Sequence, residues 1–318
     1  MTGPVALSVI VPITERFDDV SKLYHAYKAG VEQTGLRYEF IYVLDGEYPE
    51  VFSELQTLRS EGEQITTVSM AKGFGEATAL TIGFAQATGD VMLTLPAYQQ
   101  IEPSEIPRLV AGLEDYDMVV ARRYPRRDSA LNVLQSRVFH GILRMMVDVP
   151  FHDLGCGVRV MRRKVADELT LYGDQHRFLP LLADRQGFKI KEMDLAQAKG
   201  DVFRRVYPLG IYVRRLLDVL TVVFIVKFTK KPLRFFGLIG SSVLFIGALG
   251  TLYLVVERLF FEVALADRPA LVLAVLMVVL GFQMIAVGLI GELIIFTHAK
   301  DVKDYTVDKV ITVDKTAD

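Results

Sequence analysis

A chain of 318 residues with 51% hydrophobic and 23% charged residues is too apolar to be disordered, and its mean hydropathy of +0.31 exceeds that of an ordinary soluble domain. Thirty-six basic against 38 acidic residues leave a net charge of −2, which argues against a global electrostatic grip on nucleic acid. A single cysteine, Cys156, excludes an internal disulfide framework and a cysteine-rich zinc site, and fits a reducing compartment.

The N-terminus has neither a basic n-region nor an apolar run of signal-peptide length, so the N-terminal part is expected to stay in the cytoplasm. From there to residue 200 two textures alternate. Short apolar, β-branched runs at Ser8–Pro12, Tyr38–Leu44, Ile65–Met70, Asp90–Leu95 and Met118–Ala121 read as strands. Between them, Val20–Val31, Glu76–Ala87 and Ile106–Glu114 carry apolar residues at helical spacing. Continuous apolar strands alternating with helices predict a mostly parallel sheet covered on both faces. Ligands of such sheets lie at the carboxyl ends of the strands. Here those ends are Pro12–Thr14, Asp45–Glu47, Ala71–Phe74 and Pro96–Gln100.

Beyond residue 230 the texture changes. Leu233–Val256 carries a charge only at its second residue, Arg234, and Ala270–Phe296 carries only Glu292. Either run is long enough to cross the roughly 30 Å hydrocarbon core of a bilayer. Eight Lys and Arg lie in Asp201–Arg234, against Arg258 and Arg268 in the intervening Glu257–Pro269. The asymmetry predicts both termini in the cytoplasm and that loop outside. Tyr207–Phe228, apolar but punctuated by Arg214, Arg215 and Asp218, is read as a helix lying in the membrane interface, with a domain-packing helix as the alternative. Tyr305–Val313 alternates like a short edge strand. Small residues at Gly237 and Ser241, Gly247 and Gly250, Gly288 and Gly291 allow close helix approach, and a homo-oligomer is slightly favoured. Glu292, near the cytoplasmic end of its run, reads as a packing residue.

The motifs, in order, are Ser8–Pro12, Val43–Gly46, Lys72–Ala77, Gly89–Pro107, Ala121–Tyr124, Ser136–Arg137, Asp153–Arg159, His176–Pro180, and Pro232–Gly240 with Gly291-Glu292. In this order, ahead of two apolar spans, the chain resembles a family 2 glycosyltransferase of the polyprenyl-phosphate branch, similar to dolichyl-phosphate mannose synthases. The resemblance implies an α/β, Rossmann-like GT-A domain over residues 1–200. It also implies juxtamembrane amphipathic helices over 201–231, a transmembrane hairpin over 232–297 and a cytoplasmic tail over 298–318. It implies an inverting transfer of sugar from a nucleotide-sugar to a polyprenyl phosphate at the inner membrane, and envelope polysaccharide assembly as the setting. Nucleic acid is not an expected partner; membrane lipids are.

The resemblance also distributes roles. Pro12, Asp45, Lys72, Gly73, Gln100 and Arg122 are expected on the nucleotide-sugar; Asp153, Arg177 and Arg204 in catalysis; and Arg159, His176 and Arg205 on the acceptor phosphate. Cys156 is read as a small turn residue, not a nucleophile. One departure stands out. Where the family carries Asp-x-Asp-Leu-Gln, with the second Asp on a divalent metal, this chain reads Pro96-Ala97-Tyr98-Gln99-Gln100. Neither a proline nor a neutral phenol suits Mg²⁺ or Mn²⁺, so the usual metal ligands are absent from the motif. Three readings stay open: a transferase using protein cations such as Lys72, Arg122, Arg123, Arg126, Arg127 or Arg177; a transferase whose metal is held mainly by the diphosphate; and an inactive, membrane-anchored binding or scaffold subunit.

Overall fold

The computed structural model describes residues 5–126, 151–169, 171, 173–201, 232–261 and 269–298. These fall into two units, one holding a sheet and the other a helical hairpin.

In the first unit a seven-stranded sheet has the order β3-β2-β1-β4-β6-β5-β7. The strands are β1 (Leu7–Ile13), β2 (Tyr38–Leu44), β3 (Ile65–Ser69), β4 (Val91–Thr94), β5 (Met118–Arg123), β6 (Arg159–Arg162) and β7 (Ile190–Leu195). All pairings are parallel except those of β6, which runs antiparallel between β4 and β5. β1 is buried along its whole length, as a strand covered on both faces must be.

Helices α1 (Val20–Glu32), α2 (Pro49–Ser60), α3 (Glu76–Gln86), α4 (Ile106–Ala111), α5 (Arg163–Glu168) and α6 (Leu179–Gln186) flank the sheet. The Asp19 side chain caps α1 by accepting the Lys22 N–H at 2.9 Å. Val20, Leu23, Tyr24, Tyr27 and Val31 form its buried face. α2 escaped the periodicity reading, although Pro49 in its first turn and the buried Val51, Leu55 and Leu58 mark it. β6 has four residues, two of them arginine, and gives no strand pattern in the sequence.

The chain leaves β1 for β2 and β3 on one side and returns to β4 on the other. The crevice between β1 and β4 is therefore the switch point at which ligands of such sheets bind. Pro12 contributes to it. Leu95 donates to Ile10 O, and Asp45 donates to Ile13 O, so alternation turns the Pro12 nitrogen toward β4. The β1–β4 pairing ends at Ile10 with Thr94, two residues earlier, so the missing N–H costs no ladder bond.

In the second unit, α7 (Pro232–Phe261) and α8 (Pro269–His298) are each long and apolar enough to cross a membrane. They meet through glycines seven residues apart. A Cβ on Gly240 would lie 2.8 Å from Gly281 O, and one on Gly247 2.8 Å from Val278 N. Gly288 faces Leu233 and Phe236 in the same seam. Gly237, by contrast, approaches only Leu233 of its own helix. Glu292 accepts the Leu233 N–H at 3.4 Å, meeting one of the unpaired donors at the α7 N-terminus. The small residues at Gly240, Gly247, Gly281 and Gly288 thus serve contact within the hairpin. The expected interface helix, the tail strand, Arg127 and Ser136-Arg137 lie outside the described residues.

Candidate active site

The carboxyl ends of β1, β2, β3 and β4 carry the loops that build the crevice. After β2, Asp45 accepts the backbone N–H of Phe74 at 2.6 Å and of Gly75 at 3.0 Å. Gly75 has φ +97, a conformation that favours glycine, and it precedes α3. Asp45 thereby ties the Lys72-Gly73 loop after β3 to the end of β2, and Lys72 Nζ lies 5.2 Å over the Phe74 ring. Pro12, Asp45, Lys72 and Gly73 come from neighbouring strand ends, as the sequence reading expected.

The loop after β4 is held from three sides. The Tyr27 hydroxyl, on α1, donates to Pro96 O at 2.9 Å and to Tyr98 O at 3.0 Å. Asp18 N–H donates to Ala97 O at 2.8 Å, joining the loop after β1 to the loop after β4. Glu102 N donates to Ala196 O, and Ala198 N to Gln100 O, closing the far side. Gln100 is buried: its Nε2 donates to the Tyr98 hydroxyl at 2.7 Å and its Oε1 accepts from Gly157 N at 2.7 Å. Gln100 therefore links the motif loop to the Asp153–Arg159 segment.

Asp153 is buried against Arg123. Nε and Nη2 of Arg123 donate to its two carboxylate oxygens at 2.8 and 2.9 Å. Burial alone would raise its carboxyl, but Arg123, with Arg126 3.8 Å away, holds it at about 2. With both oxygens on Arg123 and the side chain 3% exposed, Asp153 is not presented toward a sugar. Asp201 accepts from Arg123 Nη1 at 2.9 Å and lies 3.5 Å from Arg16. Neither Arg16 nor Asp201 was singled out in the sequence, because the contact joins residues 185 positions apart. Burial pushes the Cys156 thiol up to about 12, in keeping with a turn residue.

Arg159 is also buried; it donates to His176 O at 2.6 Å and to Cys156 O at 3.2 Å. His176 Nε2 lies 3.3 Å from Glu76, and burial, with the charges of Arg177 and Arg159, pushes the imidazole down to about 3. Arg159 and His176 are thus enclosed, whereas Arg177 is exposed. Arg122, on β5, pairs with Asp194 at 3.4 Å and is separated from β4 by β6, so it is not brought to the Asp45 loops. Arg204 and Arg205 lie outside the described residues.

The positions matching the family's metal carboxylates hold a buried proline and a largely buried phenol. Burial raises the Tyr98 hydroxyl, so it stays protonated. Among the described residues no three His, Cys, Asp or Glu side chains gather as metal ligands. This donor set does not fit Mg²⁺ or Mn²⁺.

A mostly parallel sheet with loops gathered at its switch point defines an α/β protein of the Rossmann-like class, whose ligand site lies at the strand ends. Similarity to known proteins narrows the class. The sequence profile of glycosyl transferase family 2 matches residues 8–170, and the chain belongs to that family. An undecaprenyl-phosphate 4-deoxy-4-formamido-L-arabinose transferase of Pectobacterium atrosepticum is 32% identical over 311 residues, 96% of this chain and 94% of the relative. The protein of the same name from Proteus mirabilis is 29% identical over 314 residues, 97% and 95% of the two chains. Among solved structures, glucosyl-3-phosphoglycerate synthase of Mycobacterium tuberculosis in complex with UDP has a TM-score of 0.52 at 19% identity. It covers 70% of this chain and 80% of that one, and it shares the fold. The chain is a glycosyltransferase of the GT-A fold with two candidate transmembrane helices.

Proposed function

We propose that this glycosyltransferase moves a sugar from a nucleoside-diphosphate sugar to a polyprenyl phosphate at the cytoplasmic face of the inner membrane. One observation carries the reading: a single chain joins a nucleotide-type crevice to a hairpin apolar enough to anchor it where a lipid acceptor resides. Relatives named for undecaprenyl-phosphate sugar transfer match 96–97% of the chain, hairpin included.

The acceptor phosphate is already ionised near neutral pH, so it needs no strong general base. An acceptor oxygen bonds to the anomeric carbon as that carbon's bond to the donor phosphate breaks. The electron pair leaves with the nucleoside diphosphate. The protein's tasks are to align the two phosphates and to meet the charge of the leaving group. Pro12, Asp45, Lys72 and Gly73 form the nucleoside end of the site. Gln100 and Asp153 position the loops, the one through Tyr98 and Gly157, the other through Arg123. Arg159 and His176 hold the segment that presents Arg177, and Arg177, Arg204 and Arg205 receive the acceptor phosphate. Residues 1–200 form the transferase domain, 201–231 the interface segment and 232–297 the span.

The test is direct. Purified full-length protein, supplied with undecaprenyl phosphate and a panel of nucleotide-sugars, forms a glycosyl phospholipid detectable by mass spectrometry with at least one donor. Formation of free sugar alone, or no product from any donor by folded protein, overturns the reading.

A further inference from the structure

The residue that replaces the second motif carboxylate is covered by an arginine from another loop. Tyr98 stands at the metal-ligand position, and the Arg16 guanidinium carbon lies 3.6 Å from the centre of its ring. At that distance the guanidinium stacks on the ring face, which fixes its plane and leaves its N–H edge for a ligand. The ring is itself fixed, because Gln100 donates to its hydroxyl at 2.7 Å.

The loop that carries Arg16 is locked to the loop that carries Tyr98. Asp18 N–H donates to Ala97 O, and Gln99 N–H donates to Asp18 Oδ2 at 3.3 Å. These bonds set Arg16 at the mouth of the β1–β4 crevice. Its side chain is 46% exposed, while its ion-pair partner Asp201 is 4% exposed. The pairing is loose, at 3.5 Å, and Asp201 Oδ2 is occupied by Arg123 at 2.9 Å and by Gln197 at 3.2 Å. Ion pairs run Arg16–Asp201–Arg123–Asp153–Arg126. Each carboxylate in this run is shared between two arginines, Asp201 between Arg16 and Arg123 and Asp153 between Arg123 and Arg126, so Asp201 is not given over to Arg16 alone.

We propose that Arg16, stacked on Tyr98, is the protein-borne cation that receives the diphosphate of the donor where relatives of this fold place a divalent metal. A guanidinium presents parallel N–H groups to two phosphate oxygens and stays charged at every physiological pH. As the bond from the anomeric carbon breaks, its electron pair passes to the diphosphate oxygen, and Arg16 meets that charge without a proton transfer. The replacement of Asp by Tyr is then one half of an exchange, a metal carboxylate for an arginine platform, and it removes the motive for the inactive-scaffold alternative.

The inference rests on the transferase reading above, and its test separates the two. Binding of UDP, GDP and CDP to the full-length protein in detergent micelles is measured by calorimetry in the presence of a chelator. The wild type binds at least one of them, and added Mn²⁺ leaves the affinity nearly unchanged. Arg16→Ala weakens that diphosphate by about tenfold or more and leaves the corresponding monophosphate unaffected, since only the second phosphate reaches Arg16. Arg16→Lys keeps part of the affinity, and Tyr98→Leu loses more than Tyr98→Phe, which retains the ring. Wild-type binding that requires Mn²⁺, unchanged diphosphate binding by Arg16→Ala, or equal loss of mono- and diphosphate overturns the role of Arg16 and leaves the transferase reading standing. Failure of the wild type to bind any nucleotide under either condition overturns both.

Discussion

Asp45 accepts hydrogen bonds from two successive backbone N–H groups, Phe74 at 2.6 Å and Gly75 at 3.0 Å. A single carboxylate at the end of β2 thus shapes the loop after β3. Asp45→Ala leaves both donors without their partner and frees the Lys72-Gly73 loop. Nucleoside diphosphate affinity is expected to fall about tenfold, with a stability loss of about 1–3 kcal/mol. Asp45→Asn keeps one acceptor oxygen and is expected to lose less of both. Equal affinity in Asp45→Ala and wild type would show that this loop does not bind the nucleotide.

The Arg123–Asp153 pair predicts a pH dependence. The folded carboxyl sits at about 2 against an ordinary 3.8, so the unfolded chain binds the proton more tightly. The contribution is present in full above pH 3.8 and is lost as pH falls toward 2, and it amounts to about 2 kcal/mol. Asp153→Asn leaves Arg123 buried with Asp201 as its remaining carboxylate and is expected to cost about 3–5 kcal/mol. Denaturant unfolding of the two proteins between pH 5 and pH 2 checks this. A loss below about 1 kcal/mol would mean that Arg123 finds other partners.

β1, β4 and most of β2 and β5 were legible because strands buried on both faces read as apolar runs, and β3, Ile-Thr-Thr-Val-Ser at one sheet edge, was legible through its β-branched residues. β7 was not, since Ile-Lys-Glu-Met-Asp-Leu lies at the sheet edge and alternates with charges. The Asp45 loop contact was legible in part because Asp45 and Lys72-Gly73 each sit at a strand end. The arginine platform was not. Arg16 lies between a strand and a helix, without periodicity, and meets Tyr98 only because the Asp18–Ala97 bond joins loops about 80 residues apart. Asp153 was legible as a special residue but not for its contact, because Arg123 was read as a cation open to phosphate and its partner lies 30 positions further along the chain.

The helical hairpin can be tested residue by residue. A Cβ on Gly281 would lie 2.6 Å from Leu244 N, inside the α7–α8 seam, whereas one on Gly237 would meet only Leu233 of its own helix. Gly281→Val is expected to destabilise the detergent-solubilised protein by about 1–3 kcal/mol, read as a lower melting temperature. Gly237→Val leaves it within about 0.5 kcal/mol. The reverse ranking would show that the seam runs along a different face.

Membrane orientation follows from charge. With seven basic residues in 201–232 and an eighth, Arg234, at the start of the first span, against two in the Glu257–Pro269 loop, a cysteine introduced into that loop is expected to react with an impermeant thiol reagent on intact cells. Cys156 is buried and adds little background. Protection of the loop, with labelling of a cysteine placed in the tail, would invert the topology.

The central claim is sugar transfer to a lipid phosphate by a crevice whose cation is an arginine. Its most direct measurement is the rate of glycosyl phospholipid formation by purified wild type and Arg16→Ala, each with chelator and with Mn²⁺. The account predicts that wild-type transfer persists in chelator and that Arg16→Ala is slower by about a hundredfold in both conditions, as expected for removing one charged donor from a leaving group. Transfer that stops in chelator and returns with Mn²⁺, while Arg16→Ala keeps the wild-type rate, would contradict it.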